Sequence, residues 1–242
     1  MKEKNVNVQT RDGLMDTFVA IPDGDGPFSP VIIYMDVPGI REELRHFARR
    51  IAENGFIGVL PDLYYREGTV RFDLSKGGSE LKKMFAVGSK LTNEMVMADT
   101  QGLLEYLSEV PEASGAVGTI GYCMSGQFVL TAAGTFPDRI KATASLYGTR
   151  MVTDKDDSPH KLISKISGEL YLGFAEQDHF VEDFVIPTLE QELEAADCEY
   201  QMLIHAGTEH GFCFPERPGY VEAAAESVWE SVFSMYERKL KQ

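Results

Sequence analysis

The chain has 242 residues, of which 43% are hydrophobic, enough to build a globular core with no help from disulfides or metals. Its net charge of −15, from 38 acidic against 23 basic residues, repels phosphate backbones and argues against a nucleic-acid partner. Three irregularly spaced cysteines (Cys123, Cys198, Cys213) make no disulfide framework, and no apolar run is long enough to span a bilayer.

The opening residues, Met1-Lys2-Glu3-Lys4-Asn5, carry no apolar targeting segment, so a cytoplasmic, reducing setting is expected. Val6 to Thr10 and Met15 to Ile21 read as two strands joined at Arg11-Asp12-Gly13. Pro30 to Met35 is a buried strand that ends at the turn Asp36-Val37-Pro38-Gly39. Leu44, Phe47, Ala48, Ile51 and Ala52 fall at helical spacing between Arg41 and Asn54, with Gly55 as the stop. Phe56 to Leu60 is the next buried strand, closed by Pro61-Asp62. Residues 63–89 read as an irregular, Gly-rich segment walling the site, where substrate choice is set. Helix periodicity returns from Asn93 to Leu107.

Ala116 to Ile120 is a strand, and a helix is expected from Gln127 to Phe136. Between them stands Gly121-Tyr122-Cys123-Met124-Ser125-Gly126, the strand, sharp turn and helix that lift one side chain off the top of a sheet. Small residues two before and two after Cys123 fit such a turn, and Gly126 lets the helix pack close. Ser125 is a poorer centre, because Cys123 and Gln127 flank it where small residues are needed. Further on, Ala142 to Tyr147, Leu170 to Phe174 and Tyr200 to Ile204 are strands, and Val185 to Ala195 and Tyr220 to Lys239 are helices. Thr153 to Lys165 reads as a surface excursion. The alternation implies one α/β domain over residues 1–242, with a mostly parallel central sheet, helices on both faces and function at the strands' carboxyl ends.

A sulfur nucleophile needs a base, and the base needs an orienting acid. After Cys123, Asp178 and then His210 each follow a predicted strand, in the chain order nucleophile, acid, histidine. The Met124 N–H, where the helix begins, and the Val37 N–H are the expected oxyanion donors. His205 reads as structural, His179 as part of the site's mouth, and His46 and His160 receive no role. Cys198 and Cys213 are expected to be small buried hydrophobes. His205, His210 and Cys213 match no zinc spacing, so no metal and no cofactor is expected.

Four strings in order, Pro61-Asp62-Leu63-Tyr64, Gly121-Tyr122-Cys123, Gln177-Asp178-His179-Phe180-Val181 and Gly207-Thr208-Glu209-His210-Gly211-Phe212, resemble the dienelactone hydrolase (carboxymethylenebutenolidase) family over nearly the full length. The resemblance implies an α/β-hydrolase fold with Cys123 as nucleophile, Asp178 as acid and His210 as histidine. It also implies an acid beside the thiol at Asp36, where the family carries a longer glutamate. Two arginines that clamp a substrate carboxylate in the family have no counterpart: Phe214 stands in for one, and no arginine lies between Arg71 and Arg139 for the other. Lys82 or Lys83 could supply only a point charge there. With Phe85, Phe212, Phe214 and Tyr147 as pocket residues, the expected substrate is a neutral or hydrophobic small-molecule ester, lactone or thioester. Alternatives are an acyltransferase or thioesterase on the same scaffold, and a non-catalytic small-molecule binder. The sequence leaves the oligomeric state open.

Overall fold

The computed structural model describes residues 1–72 and 76–241. By internal contacts the chain forms two compact units, Met1–Gly115 and Ala116–Gln242. Both are α/β.

In the first unit, β1 (Lys2–Thr10) and β2 (Gly13–Ile21) form a tight hairpin with Thr10 opposite Gly13, and β2 runs antiparallel to β4 (Ile57–Pro61). β3 (Pro30–Tyr34) pairs in parallel with β4, giving the order β1-β2-β4-β3. Every residue of β3 and β4 is buried, as their uninterrupted apolar runs require of strands covered on both faces. α1 (Glu42–Glu53) buries the five predicted apolar residues together with Glu43. It lies so close to β4 that a Cβ on Gly58 would sit 2.4 Å from the Ala48 carbonyl oxygen.

Two expectations for this unit change. The first strand begins four residues earlier, because Lys2 to Asn5 pair with Phe18 to Ile21 although their side chains are exposed. Backbone pairing needs no apolar pattern. The segment 63–89 is not irregular throughout: a 3₁₀ turn spans Tyr65–Glu67 and α2 spans Gly78–Gly88, with Met84 and Gly88 as its only buried residues. That narrow apolar stripe explains why periodicity failed to reveal α2.

α3 (Asn93–Glu109) starts under a side-chain cap, Thr92 accepting from the Met95 N–H at 3.2 Å. Its fully buried Asp99 is held by both terminal nitrogens of Arg66, at 2.7 and 2.8 Å, and by the Tyr65 hydroxyl at 2.8 Å. Asp99→Ala removes both of its bonds to Arg66 and leaves that guanidinium only Asp12, so a loss of about 3 kcal/mol in urea unfolding is expected. A loss below about 1 kcal/mol would show that water already solvates the pair.

In the second unit, β5 (Val117–Tyr122), β6 (Ile140–Leu146), β7 (Glu169–Gln177) and β8 (Tyr200–Glu209) are all parallel and adjacent in that order. α4 (Gly126–Thr135), α5 (Val185–Ala195) and α6 (Glu222–Leu240) complete it. α6 buries Trp229, Val232, Met235 and Tyr236, and the Tyr236 hydroxyl donates to the Thr119 carbonyl at 2.9 Å. The predicted surface excursion is partly core. Its Pro159–Lys165 turn buries Pro159 and Ile163, and Leu162 packs so tightly that a Cβ on Gly134 would lie 2.6 Å from its Cβ.

Parallel strands place all their carboxyl ends on one edge. The residue immediately after each of the four strands is Cys123, Tyr147, Asp178 and His210 in turn.

Candidate active site

The elbow is built by exclusion. Cys123 has φ of +55°, a left-handed conformation costly for any residue with a Cβ, so the surrounding structure must impose it. A short 3₁₀ turn, Cys123–Ser125, leads into α4. A Cβ on Gly121 would lie 2.6 Å from Val129 and 2.8 Å from the Ser125 carbonyl oxygen. One on Gly126 would lie 2.3 Å from the Gly148 Cα. The Thr149 N–H donates to the Cys123 carbonyl at 2.9 Å, tying the loop after β6 to the elbow. That loop holds two more left-handed residues, Tyr147 (φ +39°) and Arg150 (φ +56°).

The acid and the histidine meet through sheet register. β7 and β8 pair as far as Gln177 opposite Glu209, past an irregularity that lets the two ends draw level. The next residue on each strand is then its neighbour: Asp178 Oδ2 lies 2.8 Å from His210 Nδ1. The other carboxylate oxygen accepts from the Phe180 N–H at 2.9 Å. These side chains are 5% and 11% exposed, so the pair is shielded from water. Burial lowers the His210 pKa, but the Asp178 hydrogen bond and the Cys123 sulfur outweigh it and push it up to about 9.

His210 Nε2 is buried and makes no hydrogen bond among the described residues. The Cys123 sulfur nonetheless lies near enough to raise the ring's pKa, short of full hydrogen-bond geometry. By linkage, a histidine whose pKa rises from 6.5 to about 9 on folding stabilises the fold fully below pH 6.5. That contribution fades as pH climbs through about 9, which urea titrations at pH 6.5 and pH 9.5 would resolve.

Aromatic rings fix the imidazole from two sides, Phe180 at 4.7 Å and Tyr147 at 5.0 Å between centroids. Tyr147, Phe212 and Phe214 are fully buried and pack on one another beneath the histidine. A cleft of about 560 Å³ is lined by Arg150, Val152, His179, Phe180, Phe184 and Val185, among others. Phe180, Phe184 and Arg150 were not singled out from the sequence. Phe180 lies inside a quoted string, but nothing in the string gives its ring a direction.

Other expected bystanders have structural partners. His205 Nε2 lies 3.1 Å from the Tyr171 hydroxyl, and burial lowers its pKa. Burial pushes the Cys213 thiol far up, and it raises Cys198 too, aided by Glu199. Neither competes as a thiolate. Among the described residues no three His, Cys, Asp or Glu side chains gather to hold a metal ion.

In the first unit, Asp36 is fully buried two residues past β3, where Arg41 grips both its oxygens, at 2.5 and 3.2 Å. Arg41 also reaches Glu43 at 2.7 and 2.9 Å. The sequence reading missed this guanidinium because Arg41 looked like an ordinary helix-opening residue. Val37 is 8% exposed, and its N–H makes no hydrogen bond among the described residues. Phe85 is 47% exposed on α2, Lys83 pairs with Glu80 at 2.9 Å, and Lys82 is exposed.

The profile of the Dienelactone hydrolase family matches residues 15–240. This chain belongs to that family. It is a dienelactone hydrolase-like hydrolase with the α/β fold, as the four sequence strings implied. A protein of Escherichia coli (strain K12), provisionally named a carboxymethylenebutenolidase, is 27% identical over 218 residues, covering 88% of this chain and 78% of its own. The fold is shared with a protein from Klebsiella pneumoniae provisionally named a dienelactone hydrolase, at a TM-score of 0.87 and 21% identity over 98% of both chains. It is shared too with a dienelactone hydrolase-like promiscuous phosphotriesterase from metagenomic libraries, at a TM-score of 0.80 and 19% identity over 98% of both chains. No helix among the described residues is long and apolar enough to cross a membrane.

Proposed function

We propose that this family member cleaves a small-molecule carboxylic ester or lactone through an acyl-cysteine, with Cys123, His210 and Asp178 acting as one unit in a single hydrolase domain. The observation that carries the reading is the His210 environment: a buried imidazole bonded to Asp178 at 2.8 Å and drawn up to about 9 by Asp178 and the Cys123 sulfur. A histidine with that pKa is protonated at neutral pH, an imidazolium that would hold the sulfur as the attacking thiolate during the reaction. The relatives' carboxymethylenebutenolidase names support a small ester or lactone as substrate.

In this mechanism Sγ attacks the carbonyl carbon, and the C=O electrons move onto oxygen. The Met124 N–H, at the start of the elbow turn, stabilises that charge as an oxyanion donor. As the oxyanion collapses, the C–O bond to the leaving group breaks, and the departing oxygen takes the proton from His210 Nε2. Acylation removes the thiolate that helped to hold the imidazolium, so the histidine becomes a better base for the second half-reaction. It then takes a proton from water, hydroxide adds to the thioester, and the thiolate departs. Asp178 keeps Nδ1 protonated throughout, which fixes the tautomer.

Iodoacetamide tests the assignment. One equivalent is expected to label Cys123 ahead of Cys198 and Cys213 in peptide mass spectrometry, with esterase activity lost in proportion. Full activity in protein completely alkylated at Cys123 would rule the sulfur out as nucleophile.

A further inference from the structure

The string Gly207-Thr208-Glu209-His210-Gly211-Phe212 supplies the histidine, but its threonine takes no part in that chemistry. Thr208 is 1% exposed, while Ala206, Gly207 and Glu209 around it face water. A hydroxyl buried on so open a stretch needs partners, and it has two. Thr208 Oγ1 donates to the His205 carbonyl at 2.6 Å and accepts from the Glu176 N–H at 3.3 Å. Glu176 reaches back across the strands, its Oε2 accepting the Gly207 N–H at 2.8 Å. Gly207 has φ of +70°, a conformation that suits a residue without a Cβ.

These bonds sit on the irregularity between β7 and β8. Up to Ala175 opposite His205 the strands keep one register, and pairing resumes at Gln177 opposite Glu209. β7 crosses that gap with Glu176 alone, whereas β8 uses Ala206, Gly207 and Thr208. The additional residues of β8 must be folded out of line before the two ends can draw level. Had the first register continued, Thr208 would stand opposite Asp178, and His210 would lie about 7 Å further along the strand. The 2.8 Å bond between Asp178 and His210 would then be out of reach. Asp178 is fixed from its own side by the Phe180 N–H, so the bond depends on where β8 delivers the imidazole.

We propose that Thr208, with Glu176 as its cross-strand partner, is a positioning residue whose hydroxyl gathers the extra length of β8 and so delivers His210 to Asp178. This rests on the reading of Asp178 and His210 as parts of the catalytic unit. Every residue involved belongs to the second unit, Ala116–Gln242. Thr208 touches no reacting atom; it acts through the backbone that leads to the histidine. A displaced base slows the chemical step without touching the bound substrate, so its loss should reach kcat and spare KM.

Thr208→Val keeps the β-branched shape and deletes the hydroxyl. With 4-nitrophenyl butyrate as probe, kcat is expected to fall about 10- to 100-fold and KM to stay within about twofold. The second readout needs no substrate. The titratable groups against the imidazole are Asp178, Cys123 and Tyr147, and the first two raise its pKa. A ring that drifts from them is expected to titrate below the wild-type value of about 9, followed by NMR. Thr208→Ser restores the hydroxyl and should recover the pKa, with kcat within about threefold of wild type. A valine variant with an unmoved pKa, with kcat within twofold of wild type or with its loss carried by KM would overturn the proposal, as would a serine variant as slow as valine. If Thr208→Val does not fold, the exposed Glu176 is read by the same criteria. Glu176→Ala is then the deletion, and Glu176→Gln the rescue that keeps an acceptor for the Gly207 N–H without the charge. Failure of the underlying reading shows instead in wild-type protein, as ester turnover that survives complete alkylation of Cys123. The pKa comparison still tests Thr208 in that case, because it involves no turnover.

Discussion

Cys123→Ala is expected to lower kcat/KM toward esters by about 10³-fold or more, and to move the His210 pKa down from about 9 in the same variant. Burial, Asp178 and the Cys123 sulfur together set that value, and the substitution removes only the last. Burial is then opposed only by the hydrogen bond and charge of Asp178, so the imidazole loses its proton at lower pH. Histidine ring resonances followed by NMR across pH 5 to 10 would measure the shift directly. A value still about 9 in the alanine variant would mean that the carboxylate alone raises the histidine and that sulfur and ring do not work as a pair. Cys123→Ser is expected to lose nearly as much activity while the fold is retained. Its hydroxyl is far less acidic than a thiol, so the histidine must remove a much more tightly held proton.

Gly126→Ala is expected to cost about 3 kcal/mol or more of stability, read from urea unfolding. The added methyl would stand 2.3 Å from the Gly148 Cα and 3.1 Å from the Ser145 hydroxyl oxygen. The nearest of these atoms is backbone, so no rotamer change can relieve the overlap. α4 must move away from the loop after β6, and that loop carries Tyr147 against His210 and bonds Thr149 to the Cys123 carbonyl. Activity should therefore fall with stability. A variant of wild-type stability would show that the elbow tolerates a wider gap between α4 and that loop.

Much of this protein was legible in its residues because the signals were local. A strand end, small neighbours and a helix start around Cys123 define the elbow without reference to anything distant. Asp178 and His210 were legible as candidates because each follows an apolar strand in the order such a triad takes. α2 was not, since only Met84 and Gly88 face inward and a stripe that thin leaves no period. The upstream half of β1 was not either, because it is held by backbone pairing while its side chains face water.

Residue identities and their order are enough to say which side chains can act, how the elements alternate and to which family the chain belongs. How those side chains meet is a matter of three dimensions. An irregularity between β7 and β8 brings Asp178 and His210 level, Phe180 and Tyr147 brace the ring, Arg41 closes on Asp36, and Tyr64 finds the Val37 carbonyl. Each of these depends on a register or a direction in space. Residue identity limits what a side chain can donate, accept or shield, but the partner it finds is set by contacts between segments far apart in the chain.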